Sequence, residues 1–475
     1  MKLEVPMIHF GTGGFRGVIG DDFTKENVKR IAQAISDVIH EDNSKKPVVI
    51  GYDFRFGSDA FAIYRANTLA ANNIPVILAS GPTPTPAVRA VSKAMDNDFG
   101  IRITASHNPY YFNGVKLFQG QGMDAEVSLT DKVENKVQAL KEYKTRNYED
   151  ALKEGKIVKK DILTPFLENI RNFLHPTKEP SHRLHVLFDP IYGTGALTLR
   201  SIANDLNIDA DRIHSEHDAF FGHRLPNPIE ENLIEDKKLI LENHYDLAIG
   251  TDSDCDRIAI LDEKGNYVDA NEVRACIYYY LVKFLGRKGD CIKNIATSNL
   301  LDAVSEKLGF HCHRVDVGFK NISAGIKEHD ALIGGESSGG LTIRGYIFGK
   351  DSSFASALFL EMVKARDKPV SEIVKEVRDF ANFHSIRIED SYTFRYRENV
   401  FAAGQNRMPG FESSPKEKIC LNNNFKYLFD DGGWAMIRFS GTEPLCRIRA
   451  ESPDINITKK RIEVLKDFLA KADHE

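Results

Sequence analysis

Three aspartates at alternate positions, Asp252, Asp254 and Asp256, stand in the segment DSDCDR that ends at Arg257. Like charges this close raise one another's pKa unless a cation holds them apart. Their hard oxygen ligands suit Mg²⁺ or Ca²⁺. The segment lies between two strand-like apolar runs, Leu247–Thr251 and Ile258–Leu261. An EF-hand register would put Glu263 at loop position twelve. It fails because position six is Arg257 rather than glycine, and because the flanks read as strands. A solvated acidic turn is the plain alternative to a metal site.

Other segments carry chemistry of their own. Thr104–Pro109 (TASHNP) places small residues and a hydroxyl at the end of a strand. Pro109 biases Asn108 away from helix. Ser106 and His107 are chain neighbours, which is not the geometry of a serine–histidine pair. Lys116, ten residues beyond Ser106, can return a cation to the same place. Arg438–Pro444 (RFSGTEP), with Arg447 beyond it, offers turning amides, hydroxyls and guanidiniums, the parts of a phosphate cradle. Taken alone, it reads equally as a hairpin turn. Gly334–Gly340 (GGESSGG) carries an acid, which phosphate cradles seldom hold and sugar hydroxyls do want. Alone, it reads as a flexible turn. Gly11–Gly17 (GTGGFRG) lacks a preceding strand and is no dinucleotide fingerprint. Gly345–Asp351 (GYIFGKD) only mimics a Walker loop, with the wrong spacing and no hydroxyl residue directly after Lys350.

The surrounding pattern must position these segments. Val48–Tyr52 is a continuous apolar run, expected as a buried parallel strand. Val28, Ile31, Ala32, Ile35 and Ile39 recur at helical spacing before it. Further strands are expected at Val76–Leu78, Gly100–Thr104, Val186–Asp189, Asp246–Thr251, near Ile295 and at Ala331–Ile333. The alternation is α/β and recurs three times without a clean sequence repeat. The polar stretch 142–160 reads as a linker. The end differs: Ser385–Tyr396 and Tyr427–Arg449 alternate like antiparallel strands, and Ile457–Lys471 is an amphipathic helix. That is a small α+β unit.

Bulk properties bound the class. A chain of 475 residues exceeds one hydrophobic core, so three or four domains are expected. A net charge of −5 argues against a general nucleic-acid binder. No stretch approaches the roughly 20 apolar residues of a membrane span, and residues 1–10 hold no signal-type apolar core. Six scattered cysteines without a CxxC pair suit a reduced, cytoplasmic protein.

Together, the order and spacing of these motifs resemble the α-D-phosphohexomutase family from end to end. The matching elements are FGTGGFRG (10–17), GYDFR (51–55), TPTP (83–86), TASHNP (104–109), NGVK (113–116), PNP (226–228), DSDCDR (252–257), GFK (318–320), GESSG (335–339) and RFSGTEP (438–444). The resemblance implies three related mixed α/β domains plus a C-terminal α+β phosphate-binding domain around a central cleft. The expected units are 1–150, 155–265, 266–380 and 384–475. It also implies reversible phosphoryl transfer between C1 and C6 of a hexose phosphate, with Mg²⁺ and a 1,6-bisphosphosugar such as glucose 1,6-bisphosphate as intermediate and activator. Ser106 matches the phosphoserine and, with Asp252, Asp254 and Asp256, the metal ligands. Arg16, His107 and Lys116 match residues lining the reacting phosphoryl group. Arg257, beside the metal loop, matches a residue that steadies the substrate site, Lys320 matches a substrate-facing position, and Glu336 and Ser338 match sugar-hydroxyl contacts. Arg438, Ser440, Gly441, Thr442 and Arg447 match the grip on the non-reacting phosphate.

Two departures bear on chemistry. Some family members carry histidine where this chain has Gly340. That leaves Lys116 and Arg16 as acid–base candidates, with Lys116 preferred because burial can lower a lysine pKa. Cys255 stands where the family has a small residue, and is expected to point away from the metal. Ser337 and Thr104 depart from the glucosamine branch, which shows Gln and Ser at those places. Glucose 1-phosphate, then mannose 1-phosphate, is the expected substrate. A phosphoglucosamine mutase and a phosphoserine-type sugar phosphatase are the alternatives.

Overall fold

Burial of the apolar runs organises four sheets. The computed structural model describes residues 8–11, 14–177, 179–440 and 444–474. Val48–Tyr52 is a central strand of a seven-stranded sheet, parallel to Val76–Ala79 on one side and Phe99–Ile103 on the other. Helix Lys25–Glu41 begins where Thr24 accepts a hydrogen bond from the Asn27 amide, and it buries Val28, Ile31, Ala32, Ile35 and Ile39.

Three sheets share one arrangement. In each, a first strand sits between the second and third, all parallel, and a fourth returns antiparallel beside the third. In the first sheet these are Val48–Tyr52, Val76–Ala79, Phe99–Ile103 and Phe112–Gln119. The second sheet uses His185–Asp189, Asp209–Arg212, Leu247–Thr251 and Ile258–Asp262. The third uses Cys291–Asn294, Cys312–Val315, Ile333–Gly335 and Leu341–Ile343. The repetition expected from the sequence is therefore present in topology. Its functional consequence is direct: TASHNP, DSDCDR and the ESSGG turn are the same connection, between third and fourth strands, in three successive domains. Loops at the carboxyl ends of parallel strands are where α/β sheets bind ligands.

The fourth sheet is different, five antiparallel strands in the order Ile386–Thr393, Leu445–Ser452, Trp434–Phe439, Asn424–Leu428 and Glu417–Leu421. Helix Ile455–Asp473 packs on it through Ile462, Leu465 and Leu469.

Two local expectations need correction. The stretch 142–160 is not a plain linker: it holds helix Tyr148–Lys153 and strand Ile157–Lys160, which pairs in parallel with Val76–Ala79 and closes the first sheet. Ile157 and Ala151 are buried apolar residues within an otherwise polar run, too sparse to register as a pattern. Gly14–Val18, for which no strand was expected, pairs antiparallel with Phe112–Gln119 and places Arg16 opposite Gly114.

The domain junctions also differ. One apolar core runs without a break from the second sheet into the third domain, through Phe188, Ile249, Ile277 and Leu358. The junction of third and fourth domains has a small apolar patch of Ile295, Ala296, Trp434 and Met436. Partly buried Val317, Ile419, Leu421 and Leu428 pack against it, and polar contacts join them: Lys426 Nζ donates to the Ile295 carbonyl at 2.9 Å, and the Asn299 amide donates to Glu451 at 3.0 Å.

Candidate active site

Ser106 sits at the turn after strand Phe99–Ile103 with φ of +53°, in the left-handed region. For a residue with a Cβ this conformation costs about 1–2 kcal/mol. The turn is held by Arg55, whose buried guanidinium donates to the carbonyls of Ser106, Asn108, Pro109 and Phe112. Thr104 Oγ1 accepts the Ser106 amide at 2.9 Å. The hydroxyl so presented donates to Asp252 Oδ2 at 3.0 Å. A serine from the first domain is thereby set against the acidic loop of the second.

That loop is gripped from several sides. Ser253 donates to the Ser106 carbonyl at 2.5 Å. The Thr194 amide donates to the Ser253 carbonyl at 2.9 Å. Thr85, from the TPTP segment, donates its hydroxyl to Asp254 Oδ2 at 2.6 Å and its amide to the Asp254 carbonyl at 2.9 Å. Asp252 Oδ1 accepts the amides of Asp256 and Arg257. The three aspartates are buried, with candidate ligand oxygens within 4.8 Å of one another. Oδ1 of Asp254 and Oδ1 of Asp256 are buried without a hydrogen-bond partner among the described residues. Three convergent carboxylates with orphaned oxygens fit a hard divalent cation.

The electrostatics agree. Burial and the neighbouring Asp256 and Asp254 push the Asp252 carboxyl well above its ordinary range. Burial acts the same way on Asp254, but Lys116, together with the Thr85 hydroxyl and Arg102, outweighs it and holds that carboxyl low. Lys116 Nζ lies 2.7 Å from Asp254 Oδ2 and 2.9 Å from Asp256 Oδ2. The reason given above for preferring Lys116 as an acid–base group does not hold in this arrangement. Burial does oppose its charge, yet Asp254 and Asp256 prevail and raise its pKa. His107 is the contrary case: burial, then Arg257 and Arg16, push it well below the usual histidine value. It stands neutral at pH 7. Arg16 donates to Asn108 in the serine loop, and Arg257 donates to Asn227 of the PNP segment at 3.3 Å.

The third loop meets the second. The Ile258 amide donates to the Gly339 carbonyl at 3.3 Å. Gly339 has φ of +107°, and a Cβ there would come 3.0 Å from the Ile258 backbone, so glycine is required. Buried Glu336 accepts from Asn294 and from the Gly318 amide, both at 2.9 Å. Lys320 follows Gly318 in the first turn of helix Phe319–His329. Ser338 is exposed in its turn.

Lys350 is a site residue the sequence reading missed. Its ammonium lies 3.3 Å from Glu336 Oε2 and helps to hold Asp256 ionised. A Cβ at Gly340 would fall 2.3 Å from Lys350 Cγ and Cδ. The lysine stem thus occupies the space a side chain at 340 would need. The only sequence signal was the rejected Walker mimic. Arg55 and Thr85 were likewise seen as parts of motifs without a role.

In the fourth domain, Arg438 and Arg447 are cross-strand partners. Burial and Arg449 pull the Arg438 guanidinium below its ordinary pKa. Arg447 is exposed, 3.8 Å from Glu389. Arg449, also unassigned from sequence, joins this face to the sugar loop: it donates to Ser337 Oγ at 3.3 Å and to Glu389 at 2.8 Å. The Ser440 amide donates to the Leu445 carbonyl at 2.9 Å. Gly441 and Thr442 lie outside the described residues. Among the described residues no helix is long and apolar enough to cross a membrane.

Residues 7–144, 164–265 and 269–380 match the models for phosphoglucomutase/phosphomannomutase alpha/beta/alpha domains I, II and III. Residues 400–467 match the C-terminal domain of the same family. A phosphoglucomutase/phosphomannomutase of Thermococcus kodakarensis is 28% identical over 456 residues, covering 96% of this chain and 97% of its own. A probable phosphoglucosamine mutase of Pyrococcus furiosus is 29% identical over 469 residues, 96% and 95% of the two chains. The crystal structure of a putative phosphomannomutase from Thermus thermophilus superposes with a TM-score of 0.85 at 27% identity, covering 98% and 99%.

Proposed function

We propose, from the premise that this chain belongs to the phosphoglucomutase/phosphomannomutase family, the α-D-phosphohexomutases, that it interconverts glucose 1-phosphate and glucose 6-phosphate, with mannose 1-phosphate as a second substrate. The observation that carries this reading is the Ser106 hydroxyl, held 3.0 Å from Asp252 beside the acidic cluster.

Asp252, Asp254, Asp256 and the Ser106 oxygen are the residues that would hold Mg²⁺. When bound, the ion supplies charge stabilisation to the equatorial oxygens of the transferring phosphoryl group. The chain's own residues do the rest. Phosphorylated Ser106 donates its phosphoryl group to the free 6-hydroxyl of the substrate: the serine O–P bond breaks and a sugar O–P bond forms. The hydroxyl proton passes to a nearby base, and Lys116 is the candidate by position. Two carboxylates hold it as an ammonium, so it can accept that proton only after those carboxylates are otherwise engaged, its pKa falls and its own proton is lost to solvent. Arg16 and Lys350 add positive charge around the transferred group, while neutral His107 is available as a hydrogen-bond donor. The bisphosphosugar turns end over end, and its 1-phosphate returns to Ser106, restoring the enzyme. Glu336 accepts sugar hydroxyls, flanked by Ser338 and Lys320, and Arg257 steadies the reacting end. Arg438, Ser440 and Arg447, together with Gly441 and Thr442, hold the phosphate that is not reacting.

The Pyrococcus furiosus relative supports a second reading, a phosphoglucosamine mutase. A coupled assay with Mg²⁺ and a trace of glucose 1,6-bisphosphate separates the two. It compares glucose, mannose and glucosamine 1-phosphates, reading 6-phosphate and free phosphate together. Fast 6-phosphate formation from glucose or mannose without phosphate release supports the first reading. Preference for glucosamine supports the second, and phosphate release from all three overturns both.

A further inference from the structure

The acidic loop is anchored residue by residue to different domains. Ser253 and Asp254 reach the first domain, through Ser106 and Thr85. Cys255 turns away from the aspartates and reaches the third. Its side chain is fully buried. Ser352 Oγ donates to its sulfur at 3.0 Å, and Ser353 Oγ lies 3.2 Å from it. The Ser352 amide donates to the Cys255 carbonyl at 3.2 Å. Ser353 in turn lies 2.8 Å from Thr198 Oγ1 of the second domain. These serines form the first turn of helix Ser352–Arg366, which Asp351 caps by accepting the Phe354 amide. Cys255 has φ of +59°, a conformation in which glycine would be unstrained and a cysteine is held only by its surroundings.

We propose that Cys255 is a positioning residue, not a metal ligand: its sulfur and carbonyl bind the first turn of helix Ser352–Arg366 and so fix the spacing of Asp254 and Asp256 on either side. The metal loop is then set jointly by the first and third domains. The inference rests on the metal-site reading above. Its reach is structural: the loop belongs to the second domain, but the shape of its binding site depends on how the third is seated.

Direct Mn²⁺ binding, followed by the loss of the free-ion paramagnetic resonance signal, provides a readout apart from turnover. Wild type is expected to bind one ion at the acidic cluster; absence of binding would defeat the metal-site reading itself. Cys255→Ala is expected to weaken Mn²⁺ about ten-fold, the scale at which supporting contacts act on metal sites. Ser352→Ala/Ser353→Ala should weaken it to a similar degree. All three substitutions together should add little to either alone, because both variants remove the same sulfur–hydroxyl contacts of Cys255, the Ser353–Thr198 contact being lost whenever Ser353 is replaced. Cys255→Ser, which keeps a hydrogen-bonding atom, should bind within about three-fold of wild type. Cys255→Gly separates backbone strain from the anchor: it is expected to bind as poorly as the alanine variant. Wild-type affinity in Cys255→Gly and Cys255→Ala, or independent additive losses in the combined variant, would overturn the proposal.

Discussion

The acidic loop and the arginine face of the fourth domain are built on opposite plans. At the acidic loop, charges are buried, carboxylates face one another, and Ser253, Asp254 and Cys255 are each tied to other elements. At the fourth domain, guanidiniums line one antiparallel sheet from surface to interior: Arg447 is exposed, Arg438 half-buried and Arg449 buried, with the Glu389 carboxylate close to Arg447 and Arg449. The first plan fixes geometry before substrate arrives, which phosphoryl transfer demands. The second supplies charge without a rigid cage. A phosphate that must be gripped, released and exchanged for its counterpart at the other end suits the second plan.

If this contrast is functional, substitutions at the two places should divide between kcat and KM. Ser106→Ala removes the nucleophile and should cost roughly 10³-fold or more in kcat, measured in the coupled assay. Asp254→Asn should weaken Mn²⁺ binding at least about 100-fold, since it replaces an anionic ligand with a neutral amide rather than loosening a supporting contact. Lys116→Met should lower kcat about 100-fold with KM little changed; a near-normal rate would remove Lys116 from the proton-transfer role. Arg447→Ala should raise KM about ten-fold with kcat nearly intact, the expected loss of one charge-assisted contact to phosphate. A kcat loss at Arg447 equal to that at Lys116 would erase the distinction between the two.

Much of this site was legible in the sequence because its chemistry is local. The alternation of Asp252, Asp254 and Asp256 is visible in five residues, and the strands that carry them are continuous apolar runs. The antiparallel character of the last domain showed in its alternation. What stayed hidden depends on tertiary placement. Lys350 lies fourteen residues beyond Glu336 in the chain, and it enters the site because Gly340 leaves room for its stem. Arg55 looks like any charged loop residue until its guanidinium is seen to hold four backbone carbonyls. Strand Ile157–Lys160 was masked because an edge strand with one buried residue has no period to detect. The raised pKa of Lys116 could not be read at all, since burial and paired carboxylates pull in opposite directions and only distances decide which prevails.

The central claim is that Ser106 carries the transferred phosphoryl group. Its most direct test is peptide mass spectrometry of the protein after exposure to Mg²⁺ and glucose 1,6-bisphosphate, and again after excess glucose 1-phosphate. The account predicts one phosphoryl group on the peptide containing Ser106, discharged on addition of the monophosphate with matching formation of bisphosphosugar. A phosphoryl group on another residue, or its discharge as free phosphate, would contradict it.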